Sequence, residues 1–313
     1  MTQFLHPKYW PIWLLVSFLR LLILLPHSWL MHLGNILGRL CYKFLHKRRY
    51  IAEVNIARCF PELSQEEQIA LVKETTTNVV KGFLEMPLAW WGSDKKLAKL
   101  TRLEGLDLVE KYEQEGRGMI IIGMHYTTIE MAGATMRPYR KVEVTYKDQK
   151  GDLVQYLMHK YRSRSFSSQI EKNAMRTMVK NLRKGHAIWY APDQDFGRDG
   201  AVFAPFFGIP AATITTLGKL QKMTGAKVLM FSHFRHDTEN GSYYVGKMID
   251  PFGECFGDND IENATLMNQA IEDLIREYPS QYNWLYERFR TRPDRSEPKF
   301  YPKIKKPPTQ AKH

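Results

Sequence analysis

From Ile12 to Leu25 the chain reads IWLLVSFLRLLILL, an apolar run broken only by Ser17 and Arg20, with Trp10 before it and Pro26 after it. A helix that spans a bilayer needs about 20 apolar residues, and an arginine at mid-membrane costs roughly 2.5–3.5 kcal/mol on insertion scales. The run therefore predicts a membrane-anchoring helix that either crosses with a tilt or lies in the interface, although a buried N-terminal core helix would show the same pattern. Arg20 and the lack of a small-x-small site argue against a cleaved signal peptide. Two further segments, MHLGNILGRLCYKFL over 31–45 and SQEEQIALVKETTTNVVKGFLEMPLAWW over 64–91, repeat apolar residues at i, i+3 and i+4 and predict helices. Ser64 with Glu67 three positions later forms a capping box for the second.

After Leu106 the pattern changes. Short apolar runs at Met119–Met124, Val142–Tyr146, His186–Ala191 and Lys227–Ser232 predict strands between helical stretches, and Gly116, Gly185 and Gly225 stand at three of the joins as helix C-caps. Strands interleaved with helices imply βαβ units, hence an α/β fold with a mainly parallel central sheet flanked by helices. The expected division is an N-terminal membrane anchor over 1–31, an α/β domain over 32–289 and a basic, Pro-rich tail over 290–313. That tail carries eight Lys+Arg against two acids and five prolines, which predicts a solvated, weakly ordered segment.

In open α/β sheets reactive groups collect beyond the carboxyl ends of the strands. His125 follows one predicted strand, in GMHYTTIE; Asp193 and Asp195 follow another, in WYAPDQDFG. Imidazole is suited to taking a proton from an alcohol near neutral pH, given a carboxylate to fix its tautomer and offset its charge. Glu130 is the nearest carboxylate in sequence. Five residues is too far for facing positions on one helix, so this pairing requires His125 in a turn and Glu130 folded back from the helix that follows. Thr127-x-x-Glu130 is itself a capping box, which gives Glu130 an alternative structural role.

The chain has no GxSxG, GxGxxG, GxxxxGK[ST] or HExxH, so no nucleophilic serine, cofactor or metal is called for, and direct attack by a substrate hydroxyl on an activated acyl group is favoured. His233, His236 and Asp237 read as a solvated turn after a strand. The 45 Lys+Arg against 33 Asp+Glu, a formal net charge of +12, call for anionic partners. The three cysteines lack CxxC spacing and fit a reducing compartment.

These residues resemble the late, or secondary, lipid A acyltransferases of Gram-negative bacteria, within the wider lysophospholipid and glycerophosphate acyltransferase superfamily. HYTTIE stands as the family's HxxxxE box, and the blocks WYAPDQDFGRDGAVFAPFFGIPAAT (189–213) and QYNWLYERFRTRP (281–293) carry the more specific likeness. The resemblance implies transfer of a fatty acyl chain from acyl carrier protein to a hydroxyacyl 3-hydroxyl of Kdo2-lipid IVA, at the cytoplasmic face of the inner membrane. It makes His125 the general base and Glu130 its partner. It casts Arg162 or Arg164 as the holder of substrate phosphate or oxyanion, matches Asp193 to the aspartate after the family's Tyr-Ala-Pro, and leans toward a lauroyl donor. Phe203, Phe206 and Phe207 are candidates for an acyl groove or for core, and Trp284 and Arg288 for substrate contact or packing. Two rivals remain at this point: a metal-dependent glycosyltransferase using Asp193-Gln194-Asp195 as a DxD motif, and a non-enzymatic basic binder of membrane surfaces. No aromatic-basic motif supports nucleic acid.

Overall fold

The computed structural model describes residues 2–137, 142–147, 151–239, 241–254 and 256–302. The chain opens with a helical lead: α1 (Trp10–Leu22), α2 (His27–Phe44), α3 (His46–Cys59), α4 (Gln65–Trp91) and α5 (Asp94–Leu100). Strands and helices then alternate through β1 (Thr101–Glu104), α6 (Leu106–Gln114), β2 (Met119–Ile122), α7 (Ile129–Met136), β3 (Val142–Tyr146), α8 (Asp152–Arg162), β4 (Phe166–Glu171), α9 (Met175–Leu182) and β5 (Ala187–Tyr190). A hairpin of β6 (Ala201–Phe206) and β7 (Ile209–Ile214) follows, then α10 (Thr216–Thr224), β8 (Lys227–Thr238), β9 (Gly241–Ile249) and α11 (Asp260–Glu277).

Seven strands form one sheet in the order β1-β9-β8-β2-β5-β3-β4, parallel at every pairing except β8 with β9. β2 lies at the centre, and all four of its residues, Met-Ile-Ile-Ile, are buried. A strand covered on both faces reads as such an unbroken apolar run. The fold is thus α/β with a mainly parallel sheet flanked by helices. The capping box forms at the start of α4, with Glu67 N–H donating to Ser64 Oγ at 3.3 Å and Ser64 N–H to Glu67 Oε2 at 2.8 Å.

Two expectations are corrected, and the choice left open for the N-terminal anchor is narrowed. The strand ending at Ser232 in the sequence reading runs on to Thr238, so His233, His236 and Asp237 lie in a strand and His233 is buried. The helix α1 is only 13 residues long, about 20 Å at 1.5 Å per residue against a hydrocarbon core of about 30 Å. Among the described residues no helix is long and apolar enough to cross a membrane. Finally, the segment from Arg290 to Pro302 does not hang free. Thr291 N–H and Oγ1 donate to the Asp195 carboxylate at 2.6 and 2.9 Å, and the Phe300 ring packs 4.8 Å from that of Phe289. Residues 303–313 of the expected tail lie outside the described residues.

Candidate active site

β2 and β5 are parallel neighbours in register, Ile122 opposite Tyr190. His125 lies three residues beyond the first and Asp193 three residues beyond the second, so equal steps past paired strand ends bring the two together. His125 Nδ1 is 2.6 Å from Asp193 Oδ1, and the His125 backbone N–H donates to Oδ2 at 2.8 Å. The carboxylate of His125 is therefore Asp193, not Glu130, which is the main correction to the sequence reading.

Local packing holds the turn that carries the imidazole. A Cβ on Gly123 would lie 1.6 Å from Trp189 Nε1, and one on Gly82 of α4 would lie 2.2 Å from the Thr127 carbonyl. Glycine at both positions lets the indole and α4 close onto the turn. From the other side the C-terminal block is stitched to the same backbone. Asn283 N–H donates to the His125 carbonyl at 3.1 Å, Thr127 N–H donates to the Gln281 carbonyl at 2.8 Å, and Tyr126 bridges Tyr282. Tyr282 Oη donates to the Asp193 carbonyl at 3.4 Å. Residues 281–283 thus position both members of the pair, a role the sequence reading missed; only their place in the 281–293 block that carries the family resemblance hinted at it.

The Asp193 side chain is fully buried, whereas that of His125 is 29% exposed. Burial works to raise the Asp193 carboxyl, but the His125 ring beside it, the two hydrogen bonds from His125 and the charge of Arg288 together hold it below the usual carboxylate range. Because Asp193 is an anion, Nδ1 carries the proton that it accepts. Whenever the ring is neutral Nε2 therefore keeps its lone pair, and no described group bonds it. This is the tautomer of a base.

Glu130, in the first turn of α7, faces another way. Its Oε2 accepts from Trp90 Nε1 at 2.8 Å, and its Oε1 accepts from Arg162 through Nε at 3.1 Å and through Nη2. Thr128 caps α7 without a side-chain bond, and Thr127 Oγ1 has no partner, so the capping box does not form. Thr128 Oγ1 is engaged with buried His233. Burial, the dominant influence, depresses the His233 pKa to about 3, which keeps it neutral. Arg164 donates to the Trp90 and Gly92 carbonyls at the end of α4, at 2.7 and 3.4 Å. The sequence therefore singled out five residues of one neighbourhood, but they divide into His125–Asp193 and Glu130–Arg162, with Arg164 as a helix C-cap.

Asp195 accepts from Gly197 N–H and twice from Thr291. Both aspartates of the DxD reading are thus committed to protein donors, and the constellation a metal-dependent glycosyltransferase needs is not formed. Among the described residues no three His, Cys, Asp or Glu side chains gather as a metal cluster. Phe206 and Phe207 are core, packed with Trp284, Phe289 and Phe60, and Phe203 carries the Arg198 guanidinium 5.6 Å above its ring. Buried Arg288 donates to Ala212 O and Thr213 Oγ1 and so ties the hairpin to the C-terminal block.

The apolar space lies elsewhere. A cavity of about 400 Å³ is walled by α1, α4 and α8 through residues such as Leu15, Phe83, Met86 and Leu157, and it reaches Tyr126 and Thr127 of the turn that carries His125, Glu130 of α7 and Asn283 of the C-terminal block. His125 and Asp193 line a narrow pocket that shares Asn283 with it. An imidazole with a free ring nitrogen beside an apolar cavity of acyl-chain dimensions can deprotonate a hydroxyl next to a bound acyl group.

The family model described as bacterial lipid A biosynthesis acyltransferase matches residues 1–291. The lipid A biosynthesis palmitoleoyltransferase of Escherichia coli (strain K12) is 34% identical over 292 residues, 93% of this chain and 94% of that protein. The lauroyltransferase of the same strain is 33% identical over 296 residues, covering 94% and 95%. A lipid A biosynthesis acyltransferase of Haemophilus influenzae is 33% identical over 304 residues, 96% of each chain.

Proposed function

This chain belongs to the bacterial lipid A biosynthesis acyltransferases, and from that membership we propose that it transfers an acyl group from the thioester of acyl carrier protein to the 3-hydroxyl of a hydroxyacyl chain on Kdo2-lipid IVA, with His125 as general base. His125 Nε2 takes the hydroxyl proton as the oxygen attacks the thioester carbonyl. Asp193, accepting from Nδ1–H, offsets the charge of the imidazolium. The tetrahedral intermediate collapses to the new ester, the C–S bond breaks, and the imidazolium returns the proton to the departing thiolate. No acyl-enzyme forms. The Glu130–Arg162 pair and Trp90 hold the wall of the cavity in which the acyl chain lies.

The observation that carries this reading is the 2.6 Å contact of His125 Nδ1 with a buried anionic carboxylate, at the edge of an apolar cavity. His125→Ala is expected to lower the acylation rate by about 10²–10⁴, and intact-mass spectrometry during turnover should find no acylated enzyme. A variant of near-normal rate, or an acylated protein, would contradict the mechanism. For the donor we propose lauroyl, on the likeness of the 189–213 block. Since the lauroyl and palmitoleoyl relatives are 33% and 34% identical, a panel of carrier thioesters read by mass spectrometry decides, and preference for palmitoleoyl would overturn it.

We further place the enzyme at the cytoplasmic face of the bacterial inner membrane, held by α1 and α2. The support is an exposed apolar stripe, Trp10, Leu14, Phe18 and Leu21 on α1 and Trp29, Ile36, Leu40 and Phe44 on α2, at the spacing of one helix face.

A further inference from the structure

An enzyme of net charge +12 acting on a phosphorylated glycolipid should hold the anionic end of that substrate, yet the arginines near the catalytic turn are committed to protein partners, Arg288 of the pocket to Ala212 O and Thr213 Oγ1. Arg162 is paired with Glu130, and Arg164 caps α4. Free cations collect at a different place. A cleft of about 710 Å³ opens between the start of α3 and the returning C-terminal segment, with His46, Lys47 and Tyr50 on one wall and Arg290, Lys299 and Phe300 on the other. Lys47, Arg290 and Lys299 are exposed, and no described carboxylate pairs with them. Among the described residues Glu287 is the one acid that lines the cleft.

The cleft adjoins the catalytic pocket through two elements. On α3, Ile51 lines the cleft, and Asn55, one turn later, lines the pocket of His125. In the C-terminal block Tyr286 and Arg288 face the pocket, whereas Glu287 and Arg290 face the cleft. On its outer side the cleft begins directly after Phe44 and Leu45, which are 74% and 41% exposed and end the apolar stripe of α2. A ligand that reaches it alongside that stripe comes laterally from a lipid surface.

We propose that this cleft binds the phosphate-bearing headgroup of the acceptor lipid, placing its hydroxyacyl chain at His125; the assignment rests on the acyl-transfer reading above. Arginine offers phosphate a bidentate fork and lysine a compact charge, and the aromatic walls suit the faces of a sugar. The cleft's place beside the apolar stripe favours a lipid headgroup over the acidic surface of the carrier protein.

The test is equilibrium binding to wild type and to the triple variant Lys47→Ala, Arg290→Ala, Lys299→Ala, whose exposed positions leave the fold undisturbed. The probes are the phosphorylated acceptor in detergent micelles, the same lipid after phosphatase treatment, and acyl carrier protein. The variant is expected to bind the phosphorylated lipid about tenfold more weakly or worse, with little change for the other two. Equal weakening for both lipids, weakening confined to the carrier, or no change would each overturn the proposal. Binding needs no turnover, so a wild type that binds the lipid but does not acylate it would sink the acyl-transfer reading separately.

Discussion

Asp193 and Glu130 are both carboxylates near one histidine, and their surroundings give them different work. Asp193 is sealed, its carboxylate accepts from the ring and the backbone N–H of His125, and it is held anionic. Glu130 is bound to Arg162 and Trp90 at the cavity wall. Glu130→Gln would keep an acceptor for the indole but leave Arg162, with 21% of its side chain exposed, without its counter-charge. A loss of about 1–3 kcal/mol of stability is expected, together with reduced turnover, and a denaturant titration checks it. Lost turnover at unchanged stability would instead return Glu130 to a direct partnership with the base. Nothing in the spacing of HYTTIE could have separated the two carboxylates. The pairing follows from the register of β2 with β5, and register is a three-dimensional quantity; the sequence offered only that each motif closely follows an apolar run, and the equal interval emerges with the strand ends Ile122 and Tyr190.

Among the elements, α4 ties the helical lead to the sheet. Arg235 of β8 is bonded to Glu85 and Asn78 of α4 and, at 2.9 Å, to Asp237, which Lys81 also reaches at 2.8 Å. Arg235 and Glu85 are each 1% exposed. Removing Glu85 leaves a buried charge with only the half-exposed Asp237 to offset it, so Glu85→Ala should cost about 3 kcal/mol in chemical unfolding; a cost under 1 kcal/mol would mean that the pair does not hold α4 to the sheet. The stripe on α1 and α2 gives a second expectation. Phe18→Asp with Phe44→Asp should shift the protein from the vesicle pellet to the supernatant in co-sedimentation with anionic vesicles, and unchanged sedimentation would remove the stripe as the membrane contact. The element pattern was readable where a single force dominated. β2, β5 and β8 announced themselves as apolar runs, and α4 by its cap. β4 (FSSQIE) and β9 (GSYYVGKMI), which carry polar residues and serine or glycine, were not, because what makes them strands is pairing in the sheet rather than local composition.

For the whole molecule, the α/β class and the neighbourhood of the site were legible because strand ends in a parallel sheet converge on one edge. The role of the C-terminal block was not, since residues 281–291 reach the catalytic turn from the far end of the chain, and contacts of that separation leave no periodic mark. What unites these parts is a single geometry: a mainly parallel sheet that sets an anionic aspartate behind a histidine, with an apolar cavity against the turn that carries it. The most direct test is the acylation rate of Asp193→Asn, measured with the carrier thioester and lipid acceptor on protein shown to be folded. The pairing predicts a fall of about 10²–10⁴, because the amide holds neither the tautomer nor the charge of the ring. A rate within a few-fold of wild type would contradict it.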